Sequence, residues 1–305
     1  MLSHLRDRHP PGELGALAAR VDARLPALVP AADARPEAVH RAMLQALTSP
    51  GKRLRPVLTL VVAGAFGQAG GRRGGRLLDL ACSVEMVHAS SLVLDDLPAM
   101  DDAALRRGRP TVHREHGEDV AILAAFGLLN RAFSLLGESA HGLHLRRYTT
   151  ADLVHHLAAA IGTGGLIGGQ ALDLSTAADE LDLALLEYIH SHKTGALFLA
   201  AAELGAMAAD ARRRDLEAVS RYAKNLGLAF QITDDLLDVL GTPEETGKDA
   251  GQDRRRSTFV KLLGVAGAQA LAGELLDFAE ESLQPLGARA EPLRELARFV
   301  RARSH

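Results

Sequence analysis

Apolar side chains recur at helical spacing along almost the whole chain of 305 residues. A stripe from Leu77 to Asp95 shows the pattern, because its members are spaced alternately by four and three residues. Alternating β-branched runs between turns, which would indicate strands, do not recur, and no internal repeat is found. Hydrophobic residues make up 47% of the chain, so burial is not limiting and the sequence predicts an all-α fold.

The helical pattern continues without a break in composition, so we expect a single domain over residues 1–305. Several helices are apolar on more than one face, which predicts a bundle with a central apolar cavity. A Gly- and Arg-rich loop is expected at residues 70–75. The predicted helices span residues 13–25, 36–47, 53–66, 77–97, 118–136, 151–161, 181–207, 215–240, 258–283 and 292–301.

Charge and cysteine content argue against several classes of protein. A formal net charge of −3 gives no long-range field for nucleic acid, and no nucleic-acid partner is expected. The one cysteine, Cys82, cannot form an internal disulfide, which is consistent with a reducing compartment. Residues 1–20 lack the apolar core of a signal peptide, and no uninterrupted apolar run reaches membrane-spanning length. We expect a soluble cytoplasmic protein without a transmembrane segment.

The first of two acidic clusters reads DDLPAMDD and directly follows the stripe described above. It brings Asp95, Asp96 and Asp101 close together in the sequence. Pro98 disturbs the helix between them, and this lets Asp101 turn back toward Asp95. Like charges this close repel each other, so the cluster favours a bound hard cation.

The second acidic cluster, QITDDLLD, also lies at the end of an apolar helix. In a helix, Asp234 and Asp238 share one face one turn apart, Asp235 lies beside them, and Gln231 precedes them by one turn. Mg²⁺ is usually shared between a few carboxylates and substrate phosphates. A single acidic cluster is most often a solvated helix end, but both clusters here are flanked by Leu and Ile or Val. Two clusters facing each other would hold a diphosphate through metal ions.

Basic residues stand in four short motifs, GKRLRP, LRRGRP, HKTG and GKD. Lys52 and Arg55 lie three residues apart at the start of a helix. Arg binds phosphate oxygens with a bidentate fork, whereas Lys acts as a point charge. His88 lies one heptad before Asp95 on nearly the same face, which places it close to the first acidic cluster.

Two other groups of ionisable residues do not predict a site. Residues 254–256 are consecutive arginines and are interpreted as a solvated run. His190 and His192 are poorly spaced for one helical face and have no Cys or third ligand nearby, so they do not predict a zinc site.

These motifs together resemble those of the trans-isoprenyl diphosphate synthases, or polyprenyl synthetases, over residues 51–264. In the family's order they read GKRLRP, DDLPAMDDAALRRGRPTVH, GGQALDL, HKTGALF, FQITDDLLDV and TGKDAGQD. Residues 88–133 look most similar to the bacterial geranylgeranyl diphosphate synthases of carotenoid pathways. The resemblance implies the helical isoprenoid synthase fold, a homodimer, and condensation of isopentenyl diphosphate with dimethylallyl, geranyl or farnesyl diphosphate.

The resemblance also implies a role for each matching residue. Three magnesium ions are implied when substrate is bound, with the ligands Asp95, Asp96, Asp101, Asp234, Asp235 and Asp238. These six residues and Lys193 are the implied catalytic residues. The implied contacts of the allylic diphosphate are Arg106, Lys193, Thr194, Gln231 and Lys248. The implied pocket for isopentenyl diphosphate comprises Lys52, Arg55, His88 and Arg107.

Two positions depart from the family pattern. Residues 255 and 256 are arginines where the family often has Gly-Lys, and Ala125 and Phe126 stand where many relatives carry Gly-Asp. The carotenoid-type enzymes resemble this chain in lacking the Gly-Asp pair.

Small side chains at Ser90 and Ser91, about one turn before the first acidic cluster, predict the length of the product. In related farnesyl synthases a bulky aromatic near this place blocks the growing tail, so small residues imply geranylgeranyl diphosphate. A farnesyl or a longer-chain product is the alternative, and a non-catalytic partner subunit is an alternative of another class. Terpene cyclases and squalene- or phytoene-type synthases need no isopentenyl diphosphate pocket. A lipid-binding bundle has no reason for two carboxylate clusters.

Overall fold

The computed structural model describes residues 9–68, 71–177, 180–240 and 258–303, and in these ranges the chain is almost entirely helical. The predicted all-α fold is therefore confirmed. The one pair of strands in the described ranges is a short antiparallel hairpin in which Arg106 lies opposite Arg109. This hairpin, formed by β1 (Leu105–Arg106) and β2 (Arg109–Pro110), follows the first acidic cluster.

The helices are named α1 to α13 in chain order. Their bounds are Gly12–Arg24, Glu37–Thr48, Leu54–Ala65, Gly71–Asp95, Val112–His116, Glu118–Leu143, Thr150–Ile161, Leu166–Ser175, Leu183–His190, Ala196–Ala208, Arg213–Leu240, Phe259–Ser282 and Glu291–Arg301. Short 3₁₀ segments cover Leu25–Leu28 and Gln284–Ala290. One π-helical turn, Ser191–Gly195, joins α9 to α10.

Two predicted boundaries are wrong for reasons that lie outside the local sequence. The loop expected at residues 70–75 is helical from Gly71 onward. Arg73 holds this turn against the bundle, because it donates hydrogen bonds to the carbonyl oxygens of Leu143 and Ala208 at 3.0 and 3.2 Å. Helix α8 is absent from the predicted helices because its glycines resemble those of a loop. One of them, Gly169, lies so close to the backbone of Lys193 that a Cβ there would collide with it.

The main hydrophobic core lies between α4, α6, α10, α3 and α11, and α4 packs along most of α6. Helix α10 is buried along nearly its whole length, as its apolar sequence predicts. It approaches α3 closely at Gly205, where a Cβ would lie 2.4 Å from the carbonyl oxygen of Thr59. The Thr59 hydroxyl donates to the carbonyl oxygen of Ala201 at 2.9 Å, so its polar atom is satisfied inside the core.

The bundle has two ends, at which different helices begin and end. The acidic end contains the start of α3 and the ends of α4 and α11, where both acidic clusters lie. The opposite end, called the basic end here, contains the end of α3, the start of α4 and the ends of α6 and α10. Helix α4 connects the two ends and spans roughly 35 Å, at 1.5 Å per residue.

Four helical segments are long and apolar enough to cross a bilayer by length and composition alone. They are Arg73–Asp95, Glu118–Leu143, Thr150–Ser175 and Phe259–Ser282. The sequence prediction considered only uninterrupted apolar runs, whereas these windows admit up to two charged residues. The expected lack of a membrane span stays a prediction.

Candidate functional site

The first acidic cluster lies where α4 ends and the chain turns back on itself. The backbone N–H of Asp101 donates to the carbonyl oxygen of Asp95 at 2.9 Å, as expected from a helix that stops before Pro98. The N–H of Ala103 donates to the carbonyl oxygen of Asp96 at 3.2 Å. These bonds close the turn and hold the first and last predicted ligands of the cluster next to each other.

Asp96 is buried and makes a bidentate ion pair with Arg106 of the hairpin. The Nε of Arg106 lies 2.8 Å from both carboxylate oxygens, and its Nη2 lies 2.6 Å from Oδ1. Burial raises the pKa of Asp96, and Arg106 offsets only part of this effect. Burial lowers the pKa of Arg106, but Asp96, Asp95 and Asp101 raise it by more. Arg106 therefore faces all three predicted carboxylates of this cluster.

Asp235 of the second cluster is buried and held by two N–H donors. The side-chain amide of Gln231 donates to it at 3.0 Å, and the backbone N–H of Phe259 at 3.1 Å. Thr194 donates to the amide oxygen of Gln231 at 3.0 Å, which links the π-helical turn to α11. Burial raises the pKa of Asp235 to about 7, although both donors lower it, and the nearby charges of Asp234 and Asp238 add to the rise.

Asp234 faces the basic residues instead. It pairs with Lys52 at 3.4 Å and also with Arg303, which follows α13. Burial lowers the pKa of Lys52 to about 8, although Asp234 opposes this effect. Both cations lie over the ring of Phe230, at 5.3 Å for Lys52 and 4.8 Å for the Arg303 guanidinium.

Arg303 is a site residue that the sequence did not reveal. Its side chain is 1% exposed, and its Nε and Nη1 are buried without a hydrogen-bond partner in the described structure. A buried guanidinium with unsatisfied donors suits an anionic ligand. No motif signals it, because it lies near neither acidic cluster in the sequence.

Arg55, His88 and Arg107 complete the basic pocket. The Arg55 guanidinium lies 4.6 Å from the centre of the Phe198 ring, and burial lowers its pKa to about 10. Burial and the charges of Arg55, Arg107 and Arg106 lower the pKa of His88 well below its usual value. The imidazole is therefore neutral at pH 7, and it lines the same small cavity as Arg106 and Arg107.

The loop that carries Lys52 and leads into α3, where Arg55 lies, is fixed by Arg53, which was not predicted as a site residue. Arg53 adopts a left-handed backbone with φ of 51°, and its side chain is buried. It pairs with Asp22 at 2.6 Å and with Glu85 at 2.7 Å. It also donates to the carbonyl oxygens of Leu47 and Ser49 at 2.8 and 2.7 Å. Burial lowers the pKa of Arg53, but the two carboxylates raise it by more, so that it lies above the ordinary value.

Arg107 packs against the same loop. Its Nη1 donates to the carbonyl oxygen of Pro50, and a Cβ on Gly51 would lie 2.4 Å from that nitrogen. A larger residue at position 51 would force the guanidinium to move from this position. This contact joins the hairpin after the first cluster to the start of α3.

Lys193 projects from the π-helical turn toward α8. It pairs with Asp173 at 2.6 Å, and Gln170, one turn earlier, contacts the sulfur of Met100 at 3.9 Å. Helix α8 thereby contacts both Lys193 and the turn of the first acidic cluster. Gln170 and Asp173 belong to the GGQALDL motif, and the sequence alone predicts no role for either residue.

The two serines predicted to set product length have different environments. Ser90 is buried, and its hydroxyl donates to the carbonyl oxygen of Ala125 in α6 at 2.8 Å. Ser91 is partly exposed and donates to the carbonyl oxygen of His88 at 2.9 Å. Ser90 thus lies at the contact between α4 and α6, while Ser91 lies on the stripe of α4 that leads to Asp95.

The carboxylates suit magnesium only together with a phosphate-bearing substrate. In the ranges that the structure describes, no three His, Cys, Asp or Glu side chains are arranged to hold a metal ion by themselves. Mg²⁺ needs only one or two protein carboxylates when phosphates and water complete its shell. Asp95 with Asp101, and Asp234 with Asp238, are carboxylate pairs of that kind. Asp96, Asp234 and Asp235 are in addition held by donors of the protein itself.

Two further sequence predictions concern the late basic residues and the central cavity. Lys248 and residues 254–256 lie outside the described residues. A cavity of about 30 Å³ adjoins His88, Asp96 and Arg106, which is about the volume of one water molecule. It is too small to be the predicted central apolar cavity, which stays a prediction.

The polyprenyl synthetase family model matches residues 36–280, a range that includes both acidic clusters. A geranylgeranyl diphosphate synthase from Pantoea ananas is 43% identical over 267 residues, covering 88% of this chain and 85% of that protein. An apo FPP/GFPP synthase from Zymomonas mobilis has a TM-score of 0.80 at 32% identity, covering 93% of this chain and 95% of that chain. A geranyltransferase from Helicobacter pylori, complexed with magnesium and isoprenyl diphosphate, has a TM-score of 0.78 at 30% identity and covers 94% of both chains.

Replacing the buried Arg53 by Met is expected to lower the free energy of unfolding by about 3–5 kcal/mol, because Glu85 keeps a buried charge without its partner. Glu85→Met in the Arg53→Met background should recover part of this loss, because it removes that charge. Urea unfolding of the two single variants and the double variant measures the coupling. Additive losses would contradict the buried ion pair.

Proposed function

The chain belongs to the polyprenyl synthetase family, and we propose that it is a magnesium-dependent trans-prenyltransferase that makes geranylgeranyl diphosphate. It joins isopentenyl diphosphate head to tail to an allylic diphosphate. The Pantoea ananas relative carries the name of this activity, and the Helicobacter pylori structure was solved with magnesium and isoprenyl diphosphate. Three ions, as the resemblance implies, and a place in carotenoid synthesis remain part of the proposal.

The observation that carries the proposal is one basic pocket with a carboxylate cluster on each side. Arg106 faces the first cluster, and Lys52 contacts Asp234 of the second. Between them, His88 is within electrostatic reach of Arg55 and Arg107. Two diphosphates can therefore bind to the cations in the pocket. The carboxylates at its edges can share magnesium ions with their phosphate oxygens.

The first chemical step is departure of the allylic diphosphate. Bound magnesium supplies charge neutralisation of the leaving diphosphate. Arg106 adds a fixed positive charge on the same side, and Lys193 a second one from the π-helical turn. The C–O bond breaks, the electron pair leaves with the diphosphate, and an allylic cation remains.

The second step joins the two substrates. Lys52, Arg55 and Arg107 hold isopentenyl diphosphate, whose double bond attacks the allylic cation and forms the new C–C bond. The resulting cation loses a proton to the released diphosphate, and a new double bond forms. No side chain forms a covalent intermediate, so the residues act by orientation and charge stabilisation. Apolar walls exclude water, which would otherwise quench the cation.

A homodimer is part of the proposal and is supported by an exposed apolar face on α6. Leu123 and Phe126 are 56% and 62% exposed, and Ile122 lies beside them. Aromatic and aliphatic residues exposed together on one helix are typical of an interface. Cytoplasmic localisation is also proposed, supported by the single Cys82, whose buried thiol suits a reducing compartment. Helix α4 is proposed to be a bundle helix and not a membrane span, because 67% of its apolar window is buried inside the protein.

Asp95→Ala and Asp234→Ala are each expected to lower kcat at least ~10²-fold, the scale of losing one preorganised charge-stabilising group. Asp102→Ala is the matched control, because that exposed carboxylate of the same turn pairs with Arg114. Turnover is measured with isopentenyl diphosphate plus each allylic diphosphate, with and without Mg²⁺. Near-normal turnover of either Asp95→Ala or Asp234→Ala would refute the assignment.

Ser91→Phe is expected to shorten the product from twenty to fifteen carbons, because the ring would project from the α4 stripe below Asp95. Ser90→Ala should leave the length unchanged, since Ser90 lies against α6. Ser90→Tyr would overpack the contact between α4 and α6, so it is a less specific test of the tail path than Ser91→Phe. Chromatography of the dephosphorylated products measures the length, and a twenty-carbon product from Ser91→Phe would count against the proposed tail path.

Phe126→Asp is expected to weaken a dimer at least tenfold, as loss of a buried aromatic anchor does. Phe278→Asp, at a residue 58% exposed on α12, is the control for a charge placed on another exposed aromatic. Light scattering across a dilution series gives the masses. A wild-type monomer, or equal behaviour of the two variants, would rule out this face as the interface.

A further inference from the structure

An open groove of about 780 Å³ lies at the basic end of the bundle. Its walls come from the start of α4, the end of α6 and the connections that follow α6 and α10. Arg73, Arg76, Arg146 and Arg147 line it, and Asp210 supplies its one carboxylate. Along α4, Arg76 lies roughly 30 Å from Asp95, so the groove is distinct from the site described above.

The carboxylate of Asp210 is already satisfied by the groove's own backbone and by one arginine. It accepts from the backbone N–H groups of Arg146 and Arg147 at 3.2 and 2.7 Å. The Arg147 guanidinium pairs with it at 3.3 Å. Asp210 therefore neutralises Arg147 and leaves the charges of the other three arginines uncompensated.

Three guanidinium groups carry the remaining charge. In the part of the chain that the structure describes, no carboxylate lies within ion-pair distance of Arg73, Arg76 or Arg146. Arg73 binds the last carbonyl oxygens of α6 and α10, so it also fixes the groove wall. Arg76 and Arg146 are exposed and point their charge toward solvent at this end.

The position of Arg76 depends on a glycine. Its guanidinium lies against Gly142 in the last turn of α6, where any Cβ would collide with it. Arg76, in the second turn of α4, therefore lies against the last turn of α6 and lines the same groove as Arg146. Arginine in such a place binds phosphate oxygens with a bidentate fork.

We infer that the basic end of the bundle docks on the surface of an anionic lipid bilayer, with lipid phosphates in this groove. An open groove without enclosing walls suits a surface better than a small free phosphate, which needs to be surrounded. No aromatic side chain of Phe, Tyr or Trp lines the groove, so bases of a nucleic acid find no stacking platform. The choice of a lipid partner rests on the proposed function, because its product is itself a membrane-soluble lipid.

The test is sedimentation of the full chain with phosphatidylcholine vesicles, with and without phosphatidylglycerol. The wild type should bind only the anionic vesicles, and less as salt rises. Arg76→Gln/Arg146→Gln should bind about 30-fold more weakly, from roughly a fivefold loss per arginine near an anionic surface. Arg20→Gln/Arg41→Gln, which removes the same charge from exposed positions of α1 and α2, should bind within twofold of the wild type.

Three results would overturn the inference. The first is equal binding of both vesicle types by the wild type. The second is unchanged binding by Arg76→Gln/Arg146→Gln. The third is release of the protein from vesicles by inorganic diphosphate or single-stranded RNA beyond the effect of NaCl at equal ionic strength. Prenyl transfer without vesicles should be the same in all three proteins, since neither pair of arginines touches the proposed active site. Failure of that reaction in the wild type would reject the proposed function and leave the vesicle result standing.

Discussion

Carboxylates that are gathered at the end of an apolar bundle repel one another, and the site depends on how that repulsion is compensated. Arg106 closes on Asp96, while Lys52 and Arg303 close on Asp234. Among the described residues Asp235 is held by two neutral N–H donors, and burial raises its pKa to about 7 although both donors lower it. Positive charge is therefore already positioned beside each cluster, where two diphosphates and their metal ions would add further opposite charges.

The cations can be held in that arrangement because their supports are buried and rigid. Arg53, whose backbone is left-handed, holds the loop in place. Its side chain donates hydrogen bonds to two carboxylates and two backbone carbonyl oxygens. Lys52 on the loop and Arg55 at the start of α3 then lie in the pocket, and Arg107 packs against Gly51 beside them. A pocket built in this way loses little conformational entropy when a diphosphate binds, because its side chains are already ordered.

Helix α4 connects the proposed active site with the groove proposed to dock on a lipid bilayer. Its last residue is Asp95, and its first turns carry Arg73 and Arg76 at the basic end. If the product tail grows along this helix, the acidic end holds the diphosphate chemistry and the tail points toward the end proposed to contact lipid. The separation of roughly 30 Å keeps the groove's field from competing with the pocket, since exposed charges are screened beyond about 8 Å.

The sequence by itself determined the helical class, the two acidic clusters and most of the basic pocket, because these depend on short-range spacing. Apolar periodicity, Pro98 after α4 and the one-turn offset of Asp234 and Asp238 are local properties. Only the tertiary structure decided what those residues contact. Arg303 reaches Asp234 across 69 positions, and Ser90 faces Ala125 across 35, so no local pattern could reveal either contact. Such contacts follow from how the helices pack, which fixes the directions of side chains that the sequence leaves open.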